Sequence, residues 1–237
     1  MELKHSEYKN FKFHFTSYED VKKYFVEKKL NKVILFSQAR SGSTFVTQKF
    51  SKYLGFEDKN IYSEEYFYGK HFSYLKHFVK KHNNFFLNTN EYLFKRHELN
   101  LHDILFIYLY REPAAIISSY EKAKKKGYYM GWEEFYSKYK KFFPKINQNL
   151  HVSYFNHHIW ETQFEKFDHS LILNYESFSN FPGFEINRST YKNLKQINYN
   201  KTLSVKLYNE INFNIIEKLY FFFRRKLESR KKFITNY

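Results

Sequence analysis

The stretch "FSQARSGSTFV" at residues 36–46 places one arginine, a glycine and several hydroxyl residues directly behind the apolar run "KVILF". A tight small-residue loop between a strand and a helix N-terminus makes an anion site. Successive backbone N–H groups point into the loop, and the helix dipole adds partial positive charge. Ser41, Gly42 and Ser43 are small enough to let an oxyanion approach the main chain. A serine-capped turn of no function has the same composition, so this stretch alone leaves both readings open. A second group lies in "YLYREPAAIISSY" at 108–120, where Arg111 ends an apolar run and Ser119 follows eight residues later. An arginine fork at the end of a strand can hold a phosphate through two parallel hydrogen bonds. A third lies in "EYLFKRHEL", where His97, the side-chain type that titrates closest to neutrality, stands near Lys95.

A nucleoside-triphosphate loop is the first reading to test, and the residues argue against it. The pattern G-x-x-x-x-G-K-[ST] needs an initial glycine and a lysine just before the hydroxyl residue. Here Ser37 stands at the first glycine and Ser43 at the lysine. The next strong apolar run ends in Arg111 rather than in a magnesium-holding aspartate. Metal-dependent phosphoryl transfer is disfavoured.

These groups need elements to position them. A helix is expected over 17–30, with Ser17 and Asp20 in capping-box-like spacing and Leu30-Asn31 at its end. "KVILFS" at 32–37 is a continuous apolar run of the kind a buried parallel strand requires. Phe45, Val46, Phe50 and Leu54 then recur at helical spacing, with Gly55 as the stop. A polar helix over 64–82 and a strand at 91–97 follow. "DILFIYLYR" at 103–111 is the strongest strand, and Pro113 opens a helix over 113–126 as a first-turn proline. Residues 131–167 read as helix broken near Pro144, 170–176 as a buried strand, and 201–233 as mostly helix. Strands alternating with helices give an α/β class, with a central parallel sheet flanked by helices in three layers. No repeat or linker divides the chain, so a single domain over 1–237 is expected.

Composition narrows the chemistry. There is no cysteine, which removes disulfides and thiolate metal sites. His157-His158 has around it no cysteine or carboxylate arrangement that suggests a metal site, so no metal is expected. The N-terminus "MELKHSEYKNFKFHF" has no apolar signal segment, and "ILFIYLY" is far too short to span a bilayer. The expectation is a cytoplasmic protein without a membrane span. The formal charge of +16 favours anionic partners. It is discounted in part, because Lys, Asn, Ile, Phe and Tyr are the residues an AT-rich coding sequence favours.

The two motifs together resemble those of sulfotransferases that use 3′-phosphoadenosine 5′-phosphosulfate (PAPS). "ARSGST" after the first apolar strand is similar to the family's 5′-phosphosulfate loop, and "REPAAIISS" to its 3′-phosphate motif. The resemblance implies a P-loop-like sulfotransferase fold. It assigns the 5′ end to Arg40, Ser41, Gly42, Ser43 and Thr44, with Phe45 adjoining, and the 3′-phosphate to Arg111 and Ser119 around Glu112-Pro113. "EYLFKRHEL" is similar to the family's K-x-H stretch, which makes His97 the general base; Glu98, Glu64 and Glu65 are the alternatives. "LNYES" at 173–177 resembles a later YE motif whose tyrosine reaches the adenine edge, here Tyr175. The resemblance covers roughly residues 32–178. The late RKG-type phosphate motif has no counterpart after 185, where Arg188 or Lys192 are the substitutes to consider.

Arg40 stands where cytosolic members carry lysine, and "RSGS" is closer to the carbohydrate-modifying branch and its bacterial relatives. Arginine does not give up a proton at working pH. Its implied task is electrostatic, on the bridging oxygen as the sulfuryl group leaves. The implied reaction moves a sulfuryl group from PAPS to a hydroxyl or amine acceptor, a carbohydrate among the candidates, without a metal. Two other readings remain. One is a basic, aromatic-rich nucleic-acid-binding protein, although aromatics such as Phe142, Phe143, Phe221, Phe222 and Phe223 fall at core-like positions. The other is a nucleotide-binding scaffold without catalysis. The acceptor and the oligomeric state are not legible.

Overall fold

The computed structural model describes residues 15–37, 40–63, 72–89, 102–111, 113–127, 138, 141 and 167–184. The chain divides into two compact units: His14–Arg111 with Trp160–Ile186, and Met1–Phe13 with Glu112–Ile159 and Asn187–Tyr237.

The first unit is built on a six-stranded, all-parallel sheet of β1 (Phe15–Thr16), β2 (Lys32–Ser37), β3 (Ile61–Tyr62), β4 (Phe85–Thr89), β5 (Ile104–Tyr110) and β6 (Ser170–Asn174), in the spatial order β1-β6-β5-β2-β4-β3. Its centre is β2 (Lys32–Ser37) beside β5 (Ile104–Tyr110), paired from Lys32↔Ile104 to Ser37↔Leu109. Both strands are buried at every position. This is why their sequences run apolar without alternation: each face is covered, so neither can be polar. On the other side of β2 lies β4 (Phe85–Thr89), also buried throughout. The flanks are shorter: β1 (Phe15–Thr16), β3 (Ile61–Tyr62) and β6 (Ser170–Asn174). Lys32, at the start of β2, is anchored 2.5 Å from the carboxylate of Asp103, just before β5.

One sheet face carries Val33, Leu35, Phe86, Leu105, Ile107, Leu109 and Leu173 into a shared core. Helix α1 (Tyr18–Glu27) lays Tyr18, Val21 and Phe25 there, one stripe at helical spacing. Its cap is Ser17, whose Oγ accepts from the Asp20 N–H at 3.2 Å. Phe178 lies at the heart of this core, fully buried, with ring contacts to Tyr18, Phe45, Phe50, Tyr175, Phe181 and Phe184. It comes from the 3₁₀ turn Tyr175–Asn180 directly after β6. The opposite sheet face stacks Phe36 on Phe106 and Phe106 on Phe167, with centroids 5.7 and 3.7 Å apart. After the short turns α2 (Ser43–Phe45) and α3 (Ser51–Tyr53), helix α4 (Phe72–Lys81) precedes β4 and buries Phe78 and Val79, Phe78 packing on Phe85 at 5.0 Å.

In the second unit the main described element is helix α5 (Pro113–Lys124), which buries Ala115, Ile116, Ser118, Tyr120 and Ala123. Gly127 beyond it takes a positive φ of 83°. Among the described residues, no helix is long and apolar enough to cross a membrane.

Several expectations fall partly or wholly on residues outside those described. The strand between β2 and β3 is Phe85–Thr89, which the pattern did not single out, while the expected strand at 91–97 lies outside the described residues. The helix expected over 64–82 is described as Phe72–Lys81. The helices expected at 131–167 and 201–233 fall almost wholly outside the described residues.

Candidate functional site

The chain leaves β2 to run out toward β3 and returns through β4. It then passes over to β5 on β2's other side, so the strand order reverses between β2 and β5. Loops at the carboxyl ends of two such strands flank a crevice, the usual ligand position in an open parallel sheet. Residues 40–45 follow β2, and Arg111 follows β5.

Ser37 closes β2 with its Oγ donating to Asn88 Oδ1 at 2.8 Å, a buried pair that ties the ends of β2 and β4. Arg40 has φ +70° and an exposed side chain. Ser41 is fully buried, and its Oγ has no hydrogen-bond partner among the described residues. Gly42 is left-handed at φ 95°, ψ 16°, and Ser43 begins a helix. A left-handed residue followed by a right-handed one turns consecutive N–H groups toward one concavity, the geometry of an anion nest.

Gly42 is required here on two counts. Its positive φ suits glycine, and a Cβ at that position would lie 2.1 Å from Cε2 of Tyr175. Tyr175 therefore walls the loop directly. The same ring carries the Arg111 guanidinium, whose Cζ sits 4.6 Å from the ring centroid. Arg111 is 7% exposed, and its Nη1 donates to the Arg40 carbonyl oxygen at 2.8 Å. A left-handed backbone costs a non-glycine residue about 1–2 kcal/mol. A hydrogen bond from a charged donor contributes about 1.5–3 kcal/mol, enough to offset that strain at Arg40. Burial pushes the Tyr175 phenol above its ordinary range, against the opposing charge of Arg111. The ring is neutral at working pH, and its contact with Arg111 is that of a cation over a π face.

The helix after the loop is unusual. A helical turn at Ser43–Phe45 passes into a π-helical segment at Val46–Phe50 and back to an α-turn at Ser51–Tyr53. Such insertions mark functional positions more often than ordinary helix does. Val46, Thr47 and Phe50 are buried in the segment; Thr47 Oγ1 has no partner among the described residues, while Ser51 Oγ donates to the Thr47 carbonyl. Phe45, half-buried, packs on Phe184 at 4.1 Å and edge-on to Phe178.

Of the residues singled out in the sequence, Arg40, Ser41, Gly42, Arg111 and Tyr175 come together. Ser43, Thr44 and Phe45 form the helix start beside them, with Thr44 exposed. Ser119 lies half-buried in α5, in the other unit. His97, Lys95, Glu98, Glu64, Glu65, Glu112, Arg188 and Lys192 lie outside the described residues, as do Gln38 and Ala39 within the loop. Asn88 was missed, although an amide inside the apolar stretch "FFLNT" is a readable signal. Among the described residues, no cluster of His, Asp or Glu could hold a metal ion. Compared with known proteins, the chain matches no family model, and no curated protein or solved structure matches it significantly.

Proposed function

We propose that this protein is a PAPS-dependent sulfotransferase with a three-layer, P-loop-like fold. It would move the sulfuryl group of PAPS to a hydroxyl or amine acceptor and release adenosine 3′,5′-bisphosphate. The observation that carries the reading is the meeting of its two motifs. The "RSGS" turn follows β2, the arginine of "REP" follows the adjacent β5, and Arg111 Nη1 bonds the Arg40 carbonyl across the strand ends. Two short motifs that are far apart in the chain thus meet at the ends of adjacent strands. The nest at Gly42-Ser43 supplies backbone N–H groups for the 5′ end, and Ser41 adds a buried hydroxyl.

In the proposed reaction the bond between sulfur and the bridging phosphate oxygen breaks as the acceptor's oxygen or nitrogen bonds to sulfur. The acceptor's proton passes to a base, for which His97 is the candidate. The leaving phosphate is a stable anion, so no acid is needed. Arg40, with its exposed guanidinium on a fixed backbone, supplies positive charge where the bridging oxygen gains negative charge. By the resemblance, the 3′-phosphate falls to Arg111 and Ser119. The aromatic residues of the first unit, such as Phe178, Phe50 and Phe106, are spent in the core, which gives no support to a base-stacking surface.

A thermal shift tests the reading. Adenosine 3′,5′-bisphosphate should raise the melting temperature without magnesium, since a ligand at a hundred times its Kd adds about 2.7 kcal/mol. Adenosine 5′-phosphate should do so less. An unchanged melting temperature at millimolar bisphosphate, or a strict need for magnesium, would sink the assignment.

A further inference from the structure

The geometry points to a clamp: Tyr175 and Arg111 hold the Arg40–Gly42 turn in its anion-receiving shape, making Tyr175 a positioning residue for the 5′ end of the nucleotide. Three contacts carry this. Tyr175 fills the space that a side chain at Gly42 would need, so ring and turn are complementary surfaces. Arg111 lies over the same ring at 4.6 Å. Its Nη1 then fixes the carbonyl of Arg40, the residue whose φ of +70° sets up the turn. A left-handed arginine is a strained state that persists only when its surroundings over-determine it. Here the Arg111 guanidinium holds Arg40 itself, and the Tyr175 ring abuts Gly42 two residues on.

Tyr175 is well suited to the task. It stands where β6 passes into its 3₁₀ turn, is 8% exposed, and is braced from behind by Phe178 and Phe184. A wall of this kind has little freedom to retreat. The clamp also joins β6 to β2 through β5, so the shape of the loop depends on three strands. This role differs from a contact with the adenine edge, which the resemblance alone would give to Tyr175. The clamp rests on the observed contacts; its service to a phosphosulfate rests on the sulfotransferase reading.

The test is amide hydrogen exchange on the full chain without ligand, read over residues 40–44. In Tyr175→Leu and in Arg111→Met, exchange there should rise at least tenfold while β2 and β5 stay protected. Tyr175→Phe should match wild type, because the ring and not the hydroxyl makes both contacts. Should Tyr175→Leu fail to fold by circular dichroism, Arg111→Met decides alone. Unchanged exchange at 40–44 in the folded variants overturns the clamp. So does a rise spread evenly over the whole sheet, which would mark a merely structural residue. Binding of adenosine 3′,5′-bisphosphate and of adenosine 5′-phosphate is measured in parallel. Both should weaken tenfold or more in Tyr175→Leu, since the turn serves the end they share; in Arg111→Met both should weaken, the bisphosphate further because it also loses its proposed 3′-phosphate contact. A wild type that binds neither, with exchange still raised in the variants, leaves the clamp standing and removes the sulfotransferase reading. Normal nucleotide binding with unchanged exchange does the reverse.

Discussion

Arg40 divides its work between backbone and side chain. Its carbonyl is held by Arg111, while the residue itself is exposed. In the proposed reaction only the guanidinium meets developing charge, so its removal should act on the chemical step. Arg40→Ala is expected to lower turnover roughly a hundredfold or more, the scale seen when a single charge-stabilising donor is lost. Binding of adenosine 3′,5′-bisphosphate should weaken less. Arg40→Lys should retain part of the rate, because the charge remains while the planar fork is gone. Radiolabelled PAPS with a panel of hydroxyl and amine acceptors measures the first effect and calorimetry the second. Equal losses in rate and binding would make Arg40 a ground-state contact. Much of this was legible beforehand, since Arg40, Gly42 and Arg111 are chemically conspicuous residues at strand ends. Their mutual contacts were not. Nothing in "RSGS" tells that Gly42 faces Tyr175, because that constraint comes from a residue far along the chain.

Phe178 shows how a short element can govern a large one. Its 3₁₀ turn is only Tyr175–Asn180, yet the ring touches aromatic side chains from α1, the helix start at Phe45, the π segment and the chain up to Phe184. Truncating a fully buried phenylalanine removes its transfer energy and leaves a cavity. Phe178→Ala should therefore cost about 3–5 kcal/mol in urea denaturation. A loss below about 1 kcal/mol would mean that the neighbouring rings close the gap. The long elements were read well for the same physical reason that makes them central. β2 and β5 are continuous apolar runs, Ser17 is a cap with its partner three residues on, and Pro113 opens α5. The strands that escaped notice lack such signals. β1 and β3 have two residues each, too few for any period, and β4 starts just after Asn83-Asn84 and ends in the polar Asn88-Thr89. The π segment was equally silent, because its residues also satisfy an α-helical pattern.

At the scale of the whole molecule, stability should follow pH through His82, at the junction of α4 and β4. Burial lowers its pKa from the ordinary 6.5, and the positive charges of Lys81 and His77 add to the effect. Its ring stacks on Phe78 at 4.3 Å. The folded state thus prefers the neutral imidazole, and the unfolded chain binds the proton more readily. Stability contributed by this site is present above about pH 6.5 and is lost as pH falls through the depressed folded value. His82→Gln should flatten the difference between denaturation midpoints at pH 7.5 and pH 5.5; an unaltered slope would show that other groups set it. The sheet order has a consequence of a different kind, for the moment of synthesis. Among the described residues, β1 pairs only with β6, and β6 only with β1 and β5. A ribosome adding about 5–20 residues per second leaves β1 without its neighbour for roughly 10–30 s. Until β6 emerges, β5 offers an open apolar edge, and the wall behind Gly42 does not yet exist. The nascent chain can assemble β2, β4 and β5 early, but the Arg40–Gly42 turn gains its Tyr175 wall only after β6 emerges.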